Sequence, residues 1–305
     1  MSGGFVAREP SLEKNYDNWV AYFESMGAPK YRAAQMCAWL WKRAVFDVAQ
    51  MTDFSKELRE RMSETLDFSH PVISDASHSE NDGSKKFSVK MADGASVETA
   101  LLKHGPRLTA CVSTQVGCPV VCPFCATGAG GFERNLTAGE IAGQFIAMER
   151  LAGREINSLV FMGMGEPFLN TGHVLEAVRR LNSPKMRGLG IRHMTISTAG
   201  IIPGIAELAQ SGLGVRLAVS LHTAYEDQRD ELVPCNSSYP LSELIPALRD
   251  YQRITGDRVT IEYALFKGRN DSLGHARALV RLLYGLHSFV NLISCSENGL
   301  GYERA

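Results

Sequence analysis

The chain has 305 residues, of which 45% are hydrophobic and 21% charged, with a formal net charge of −1. These values are typical of a globular protein with a sizeable core, and they give no bulk electrostatic signal for nucleic acid, although a local basic face could form. No apolar run has transmembrane length, and the first residues lack a signal-peptide pattern. Seven cysteines, four of them between positions 111 and 125, favour a reducing cytoplasm and a metal site over a disulfide framework.

Residues 1–68 are predicted to form a small helical domain. The helical spacing of apolar residues supports this prediction in two places: Trp19, Tyr22, Phe23 and Met26, and then Met36, Trp39 and Leu40. A third helix is expected after Ser55, which can act as its N-cap. Four basic residues could contact phosphate, although such residues more often only solvate a surface: Lys30, Arg32, Lys42 and Arg43.

In residues 69–106, apolar and polar residues alternate with a period of two. This pattern predicts a short antiparallel β extension. The dipeptides Asp82-Gly83 and Asp93-Gly94 are suited to the tight turns between its strands. Glu98 lies in the last of these strands. Judged by the two-residue alternation alone, a glutamate in such a strand most often faces solvent.

Residues 107–305 alternate six short apolar strands with amphipathic helices. This pattern predicts a parallel sheet, and we expect a partial (β/α)6 barrel whose functional residues follow the carboxyl ends of the strands. No helix follows the sixth strand, so its apolar residues are expected to be exposed: Phe289, Val290, Leu292 and Ile293.

Cys118, Cys122 and Cys125 form a C-x3-C-x2-C triplet directly after the first of these strands. Three thiolates at this spacing can bind one iron–sulfur cube while leaving one iron open, where S-adenosylmethionine (SAM) can chelate. A structural zinc knuckle and a buried set of free thiols are the alternatives. Zinc would need a fourth ligand, and no Cys/His pair stands nearby.

Polar residues and glycines end the next strands in the way that a cofactor site requires. The glycine permits close backbone approach, the carboxylate could accept from an ammonium, and the hydroxyls could bind ribose. Each is a weak signal alone, and their common position strengthens the prediction of a cofactor-binding set: Gly165, Glu166, Ser197, Ser220, Leu221 and His222.

Several stretches resemble the RlmN/Cfr family of radical-SAM RNA methyltransferases in order and spacing. They are TACVSTQVGC, FERNLT, FMGMGEP, STAG, SLHTAYEDQRDELVP, VTIEYAL and VNLI, with YRAAQ in the helical start. The resemblance implies a radical-SAM barrel with a helical accessory domain, a [4Fe-4S] cluster on the three cysteines and SAM bound by the strand-end set. It also implies methylation of adenosine carbon 2 in 23S rRNA and in tRNA, with carbon 8, the Cfr type, as the alternative.

The resemblance further implies two catalytic residues. Glu98 lies thirteen residues before Cys111, at the position of the family's proton acceptor, and Cys111 matches the cysteine that releases the RNA adduct through a transient disulfide. An electron donor such as flavodoxin is the implied partner. We expect a cytoplasmic monomer with no membrane association.

One family element has no counterpart here. The methyl-carrying cysteine of a D-I-x-A-A-C-G-Q-L run has no match in the chain, which predicts SAM cleavage without methyl transfer to RNA. Asn298 could replace an asparagine that contacts SAM, and Cys295 could act as an alternative acceptor or as a packed hydrophobe. A truncated sequence, a variant with altered chemistry and a non-catalytic RNA-binding remnant remain three interpretations.

Overall fold

The computed structural model describes residues 8–80, 82–295 and 299–305. The strands in chain order are β1 Glu9–Pro10, β2 Leu66–Asp67, β3 Val72–His78, β4 Lys85–Lys90, β5 Ser96–His104, β6 Arg107–Cys111, β7 Gln115–Gly117, β8 Phe132–Asn135, β9 Ser158–Phe161, β10 Met194–Thr198, β11 Arg216–Ser220, β12 Val259–Leu265 and β13 Ser288–Ser294. The helices are α1 Tyr16–Ser25, α2 Tyr31–Cys37, α3 Lys56–Thr65, α4 Ala126–Ala129, α5 Ala138–Ala152, α6 Thr171–Asn182, α7 Ile202–Gln210, α8 Glu226–Leu232, α9 Leu241–Thr255 and α10 Leu273–Leu282. No helix among these residues is both long and apolar enough to cross a membrane.

The chain divides into two compact units. The first comprises Met1–Ala110, Thr137–Ser158 and Glu176–Gly190, and the second comprises Cys111–Leu136, Leu159–Leu175 and Ile191–Ala305. The proposed domain boundaries at residues 68 and 106 stay a prediction.

The helical start of the first unit packs around aromatic residues. Asn15 caps α1 by accepting from the Asn18 amide at 2.9 Å, and Trp19 and Phe23 on that helix are fully buried. Phe23 stacks on Phe54 at a centroid distance of 5.8 Å. The predicted helices and the Ser55 cap are therefore confirmed, since the Ser55 hydroxyl accepts from the first turn of α3.

The second helix differs from the prediction at one aromatic position. Helix α2 continues into a π-helical turn over Ala38–Lys42, and Trp41 is 1% exposed while Trp39 is only half-buried. Trp41 follows the buried Cys37 by four residues, as Leu40 follows Met36, so Trp41 lies on the apolar face. Trp39 lies at the margin of that face, where its Nε1 donates to the Asp53 carboxylate at 2.6 Å, and the expectation that Trp39 belongs to the apolar face was wrong.

The β extension is antiparallel as expected. Strands β3, β4 and β5 pair in that sense, with Val89 opposite Val97. The Asp93 carboxylate accepts from the Ala95 amide at 3.0 Å and closes the second turn. Phe87, Val89 and Val97 are buried, which gives this sheet one apolar face.

The second unit contains a parallel run of strands from β9 to β13. The neighbouring strands pair in chain order, with Ile196 opposite Leu217 and Val219 opposite Ile261. The run forms an open, partial barrel of the α/β class, as predicted, with β13 at its edge. On β13, Phe289 is 53%, Leu292 60% and Ile293 39% exposed, whereas Val290 is half-buried; the predicted exposure is thus confirmed for three of the four residues.

Candidate functional site

The three cysteines lie on one short loop of the second unit. The loop leaves β7 at Cys118, whose amide donates to the Gly131 carbonyl at 2.8 Å. The Cys125 amide donates to the Cys122 carbonyl at 3.0 Å, and Cys125 then begins α4. These bonds close the loop on itself.

Backbone sterics constrain this loop to one shape. Gly117 has φ +76°, and a Cβ there would lie 1.9 Å from the Gly131 carbonyl oxygen. Gly128 packs against Cys122 so closely that a Cβ would meet its backbone at 3.1 Å. Val121 has φ 55°, which is a strained conformation for a β-branched residue. Strain of this kind is typical of a functional loop.

A cavity of about 260 Å3 brings the cysteines together with the strand ends. Nearly all of the predicted cofactor-binding set lines it along with the three thiols: Gly165, Glu166, Ser197, Ser220 and His222. Leu221 is fully buried in the core beside them, and its amide donates to the Glu262 carbonyl at 2.9 Å. Asn298 lies outside the described residues.

Glu166 is a buried carboxylate that ties two strand ends together. One oxygen accepts from the Phe168 amide at 2.9 Å and the other from the Ala199 amide at 2.6 Å, just after β10. The Glu166 amide in turn donates to the Gln115 side chain at 2.8 Å. Burial raises the pKa of Glu166 to about 7, even though the two amide hydrogen bonds lower it.

His222 is held as a neutral imidazole. Its Nδ1 accepts from the Ala264 amide at 3.0 Å, which leaves the ring proton on Nε2. Burial, together with a smaller contribution from the Arg229 guanidinium, lowers the pKa of His222 to about 3. Its φ of 62° is unusual for a residue other than glycine, and Asn270 stabilises this turn by donating to the His222 carbonyl at 2.7 Å.

Burial and mutual repulsion disfavour the charged forms of the loop thiols. Burial is the main cause that raises the pKa of Cys118 and Cys122, and neighbouring cysteines add to it. A bound cation would relieve both effects, because thiolates are the form that binds metal. Within the described ranges, no three His, Cys, Asp or Glu side chains converge closely enough to hold a single metal ion.

The geometry adds three residues that the sequence reasoning missed. Glu262 lines the cavity from β12 and accepts from the Asn291 amide nitrogen at 2.7 Å, and burial raises its pKa. Phe124 packs edge-on against His222 at 5.0 Å. Cys235 packs with Cys122 against the apolar cluster around Phe266. For Glu262, the signal available in the sequence was a glutamate within the otherwise apolar run VTIEYAL.

The remaining predicted residues lie elsewhere. Cys111 ends β6 as a half-buried residue, burial raises the pKa of its thiol to about 11, and it is not among the described residues that line the cavity. Glu98 belongs to the first unit, where Lys86 donates to its carboxylate at 2.7 Å. Cys295 packs against the cluster that contains Val233 and Phe266. None of the seven cysteines, all of which lie within the described ranges, forms a disulfide.

Comparison with known proteins places the chain among its relatives. Two family models match it: the radical SAM superfamily over residues 112–279, and the ribosomal RNA large subunit methyltransferase N-terminal domain over residues 12–67. The protein named "Probable dual-specificity RNA methyltransferase RlmN" from Thermosipho melanesiensis is 46% identical over 282 residues, or 92% of this chain and 83% of that protein. Its namesake from Thermotoga maritima is 43% identical over 293 residues, or 96% and 85% of the two chains.

A solved structure agrees with these matches. The crystal structure of a radical SAM methyltransferase from Sphaerobacter thermophilus superposes with a TM-score of 0.92 at 39% identity, covering 97% of this chain and 88% of that one. The fold and the cysteine cavity therefore define a radical SAM enzyme. Within that class, the chain belongs to the family of RlmN-type RNA methyltransferases.

Proposed function

We propose that the chain methylates carbon 2 of an adenosine in 23S rRNA and an adenosine in tRNA, in the cytoplasm, with SAM as the methyl source. The observation that carries the proposal is the single cavity lined both by the three cysteines and by the polar strand ends. The name of the relatives, dual-specificity RNA methyltransferase, supports two RNA substrates. An electron donor such as flavodoxin is the proposed partner.

The residues present fit a [4Fe-4S] cluster better than a zinc ion. A structural zinc site needs four ligands, and the loop itself supplies three thiols. In a four-iron cube each thiolate binds a different iron, so Cys118, Cys122 and Cys125 need only face one cavity. When bound, the cluster supplies the electron for reductive cleavage of SAM.

The chain's own residues would position SAM and keep water out. The Glu166 carboxylate, in the loop after β9, accepts from the backbone amides of Phe168 and Ala199. These bonds hold the end of β10 beside that loop, where Ser197 lines the cavity. Neutral His222 offers Nε2–H as a donor without adding a positive charge beside the SAM sulfonium. Phe124 covers the imidazole and excludes solvent there.

Glu98 and Cys111 are the proposed catalytic residues on the RNA. This assignment rests on the family resemblance at both positions. Because burial keeps the pKa of Cys111 near 11, its thiol stays protonated at neutral pH until a base removes the proton. Glu98 is proposed to take up a proton from the adenosine ring.

Mass spectrometry of RNA tests the function. We expect 23S rRNA and tRNA from cells that lack the gene to lose 2-methyladenosine. Expression of the 305-residue chain then tests the prediction made from the missing methyl-carrying cysteine: SAM cleavage without restored 2-methyladenosine confirms it, and restored 2-methyladenosine shows that another residue, such as Cys295, accepts the methyl group. Appearance of 8-methyladenosine would identify the Cfr-type activity instead. If no methyladenosine level changes in either direction, the chain is not an active RNA methyltransferase, which is the outcome expected of a non-catalytic remnant.

The cluster assignment predicts a specific pattern of iron loss. Anaerobically reconstituted protein should bind about four irons per chain, and Cys118→Ala, Cys122→Ala or Cys125→Ala should each lower the iron content strongly. Cys235→Ala is the matched control, because this thiol packs beside the loop without being a proposed ligand. Cys111→Ala should also keep its iron. Full iron content in the three loop variants would refute the assignment.

A further inference from the structure

A second cavity, of about 690 Å3, lies wholly within the first unit. The end of the π-helical turn contributes Lys42 and Arg43, and the end of α5 contributes Arg150 and Arg154. Arg187 completes a set of five cations, against two carboxylates in the lining. A chain with a net charge of −1 therefore concentrates positive charge at this place.

One of the two carboxylates is already neutralised inside the wall. Glu149 accepts from Arg187 Nε at 2.7 Å and from Arg187 Nη2 at 2.5 Å, and it also accepts from the Ile156 amide at 2.8 Å. This ion pair is largely buried, with 9% of the Arg187 side chain and 16% of the Glu149 side chain exposed. It therefore stabilises the cavity wall. The other four cations are exposed, and none forms an ion pair with any described residue.

The backbone at the rim of the cavity is strained. Ala44, which lines the cavity directly after Arg43, has φ 52°. The preceding turn is π-helical, a conformation that is frequent at functional sites. The Arg43 guanidinium lies over the Trp39 ring at 4.1 Å, and this stacking restricts the side chain before any ligand binds. Trp41 also lines the cavity, and its buried Nε1 has no hydrogen-bond partner among the described residues.

We propose that this cavity binds the phosphodiester backbone of the RNA substrate, with Arg43, Arg150 and Arg154 contacting phosphate oxygens. Arginine is the side chain best suited to this role, because its planar guanidinium can donate two parallel hydrogen bonds to one phosphate. The inference goes beyond the proposed function, which assigns no residue to the RNA backbone, and it rests on RNA being the ligand. Such contacts would supply affinity and register without reading the sequence.

The salt dependence of RNA binding is the decisive measurement. We compare the parent chain with the triple variant Arg43→Ala, Arg150→Ala, Arg154→Ala by fluorescence anisotropy, using a fluorescein-labelled, unmodified tRNA transcript. Each lost phosphate contact should lower the slope of log K against log salt by about 0.7 to 0.9. The triple variant should therefore lose about 2 in slope and bind about 100-fold more weakly at 0.1 M salt.

Two further triple variants serve as controls. The control triple Arg258→Ala, Arg277→Ala, Arg281→Ala removes three exposed arginines of the second unit that line neither cavity, and it should bind like the parent. Replacing Arg43, Arg150 and Arg154 by lysine should retain most of the salt slope and lose part of the affinity. Iron content and melting temperature should match the parent throughout.

The outcomes separate this inference from the proposed function. Unchanged binding in the first triple variant, or an equal loss in the control triple, would overturn the phosphate site. Loss of RNA affinity in the first triple alone supports it, whether or not the parent chain makes methyladenosine. Absence of methyladenosine with this binding pattern intact would instead count against the proposed function only.

Discussion

Glu166 shows how a single side chain can organise a cavity at the cost of pH-dependent stability. Its carboxylate is 3% exposed and accepts from two backbone amides, so it stabilises the ends of β9 and β10. Burial nevertheless raises its pKa to about 7 from an ordinary value of 4.5. The folded chain therefore holds this proton more tightly than the unfolded chain does, and stability is greatest where the carboxyl is protonated.

The Glu166→Gln variant should remove this dependence. For a carboxyl with a raised pKa, the contribution to stability falls as pH rises from about 4.5 to about 7 and is constant above, at about 1.4 kcal/mol per pKa unit. The glutamine amide cannot accept from both backbone amides, so the variant should be about 1 to 3 kcal/mol less stable near pH 5. The difference between variant and parent should then shrink toward pH 8.

Chemical denaturation of the metal-free protein at pH 5, 6, 7 and 8 measures this difference. The comparison with the variant is needed because His222 acts in the opposite direction. Its lowered pKa, about 3, makes its contribution fall as pH decreases below 6.5. A parent-minus-variant difference that stays constant from pH 5 to pH 8 would show that Glu166 does not titrate in this range.

At the scale of elements, the cysteine loop depends on glycine at one position. Gly117→Ala would place a methyl group 1.9 Å from the Gly131 carbonyl oxygen and in a left-handed conformation, so the loop has to open. We expect the variant to lose most of its iron. Gly130→Ala is the matched control, because a Cβ there meets only the Thr127 carbonyl oxygen, at 3.5 Å. Equal iron content in both variants would show that the loop adapts.

The π-helical turn makes a second prediction at this scale. Trp41 is 1% exposed, so Trp41→Ala should cost about 3 to 5 kcal/mol of unfolding free energy. Trp39 is half-buried and donates to the Asp53 carboxylate at 2.6 Å, so Trp39→Ala should cost only about 1 to 2 kcal/mol. Urea unfolding of the two variants checks this order. The reverse order would show that Trp39, and not Trp41, contributes most to the packing of this turn.

At the scale of the whole molecule, the edge of the parallel run exposes apolar surface. Leu292 and Ile293 on β13 are 60% and 39% exposed, and β13 is an edge strand. An apolar edge promotes association between copies at high protein concentration. We expect Leu292→Lys to raise the concentration at which light scattering first detects aggregates. Val280→Lys, on the exposed face of α10, is the control, and an equal effect there would mean that added charge alone is responsible.

The parts of the fold that follow from local pattern were predictable. The capped helices α1 and α3, the turn at Asp93-Gly94 and the parallel strands β9 to β13 each arise from short-range spacing, and the structure confirms them. The convergence of the three cysteines on one loop was equally predictable, because three thiols within eight residues can face the interior of a single loop. The burial of Trp41 was missed, although Trp41 follows the buried Cys37 by four residues and therefore shares its side of the helix.

The class of chemistry follows from the amino-acid sequence, because the identity and spacing of Cys118, Cys122 and Cys125 limit what the loop can bind. Which distant residues join these cysteines depends on the folded chain. Glu262 lines the same cavity although it is far along the chain, because neighbouring parallel strands bring their carboxyl ends to one edge. Likewise, Arg43, Arg150 and Arg154 line one basic cavity only because the first unit brings the end of the π-helical turn close to the end of α5, and charge clustering depends on distances that no linear pattern contains.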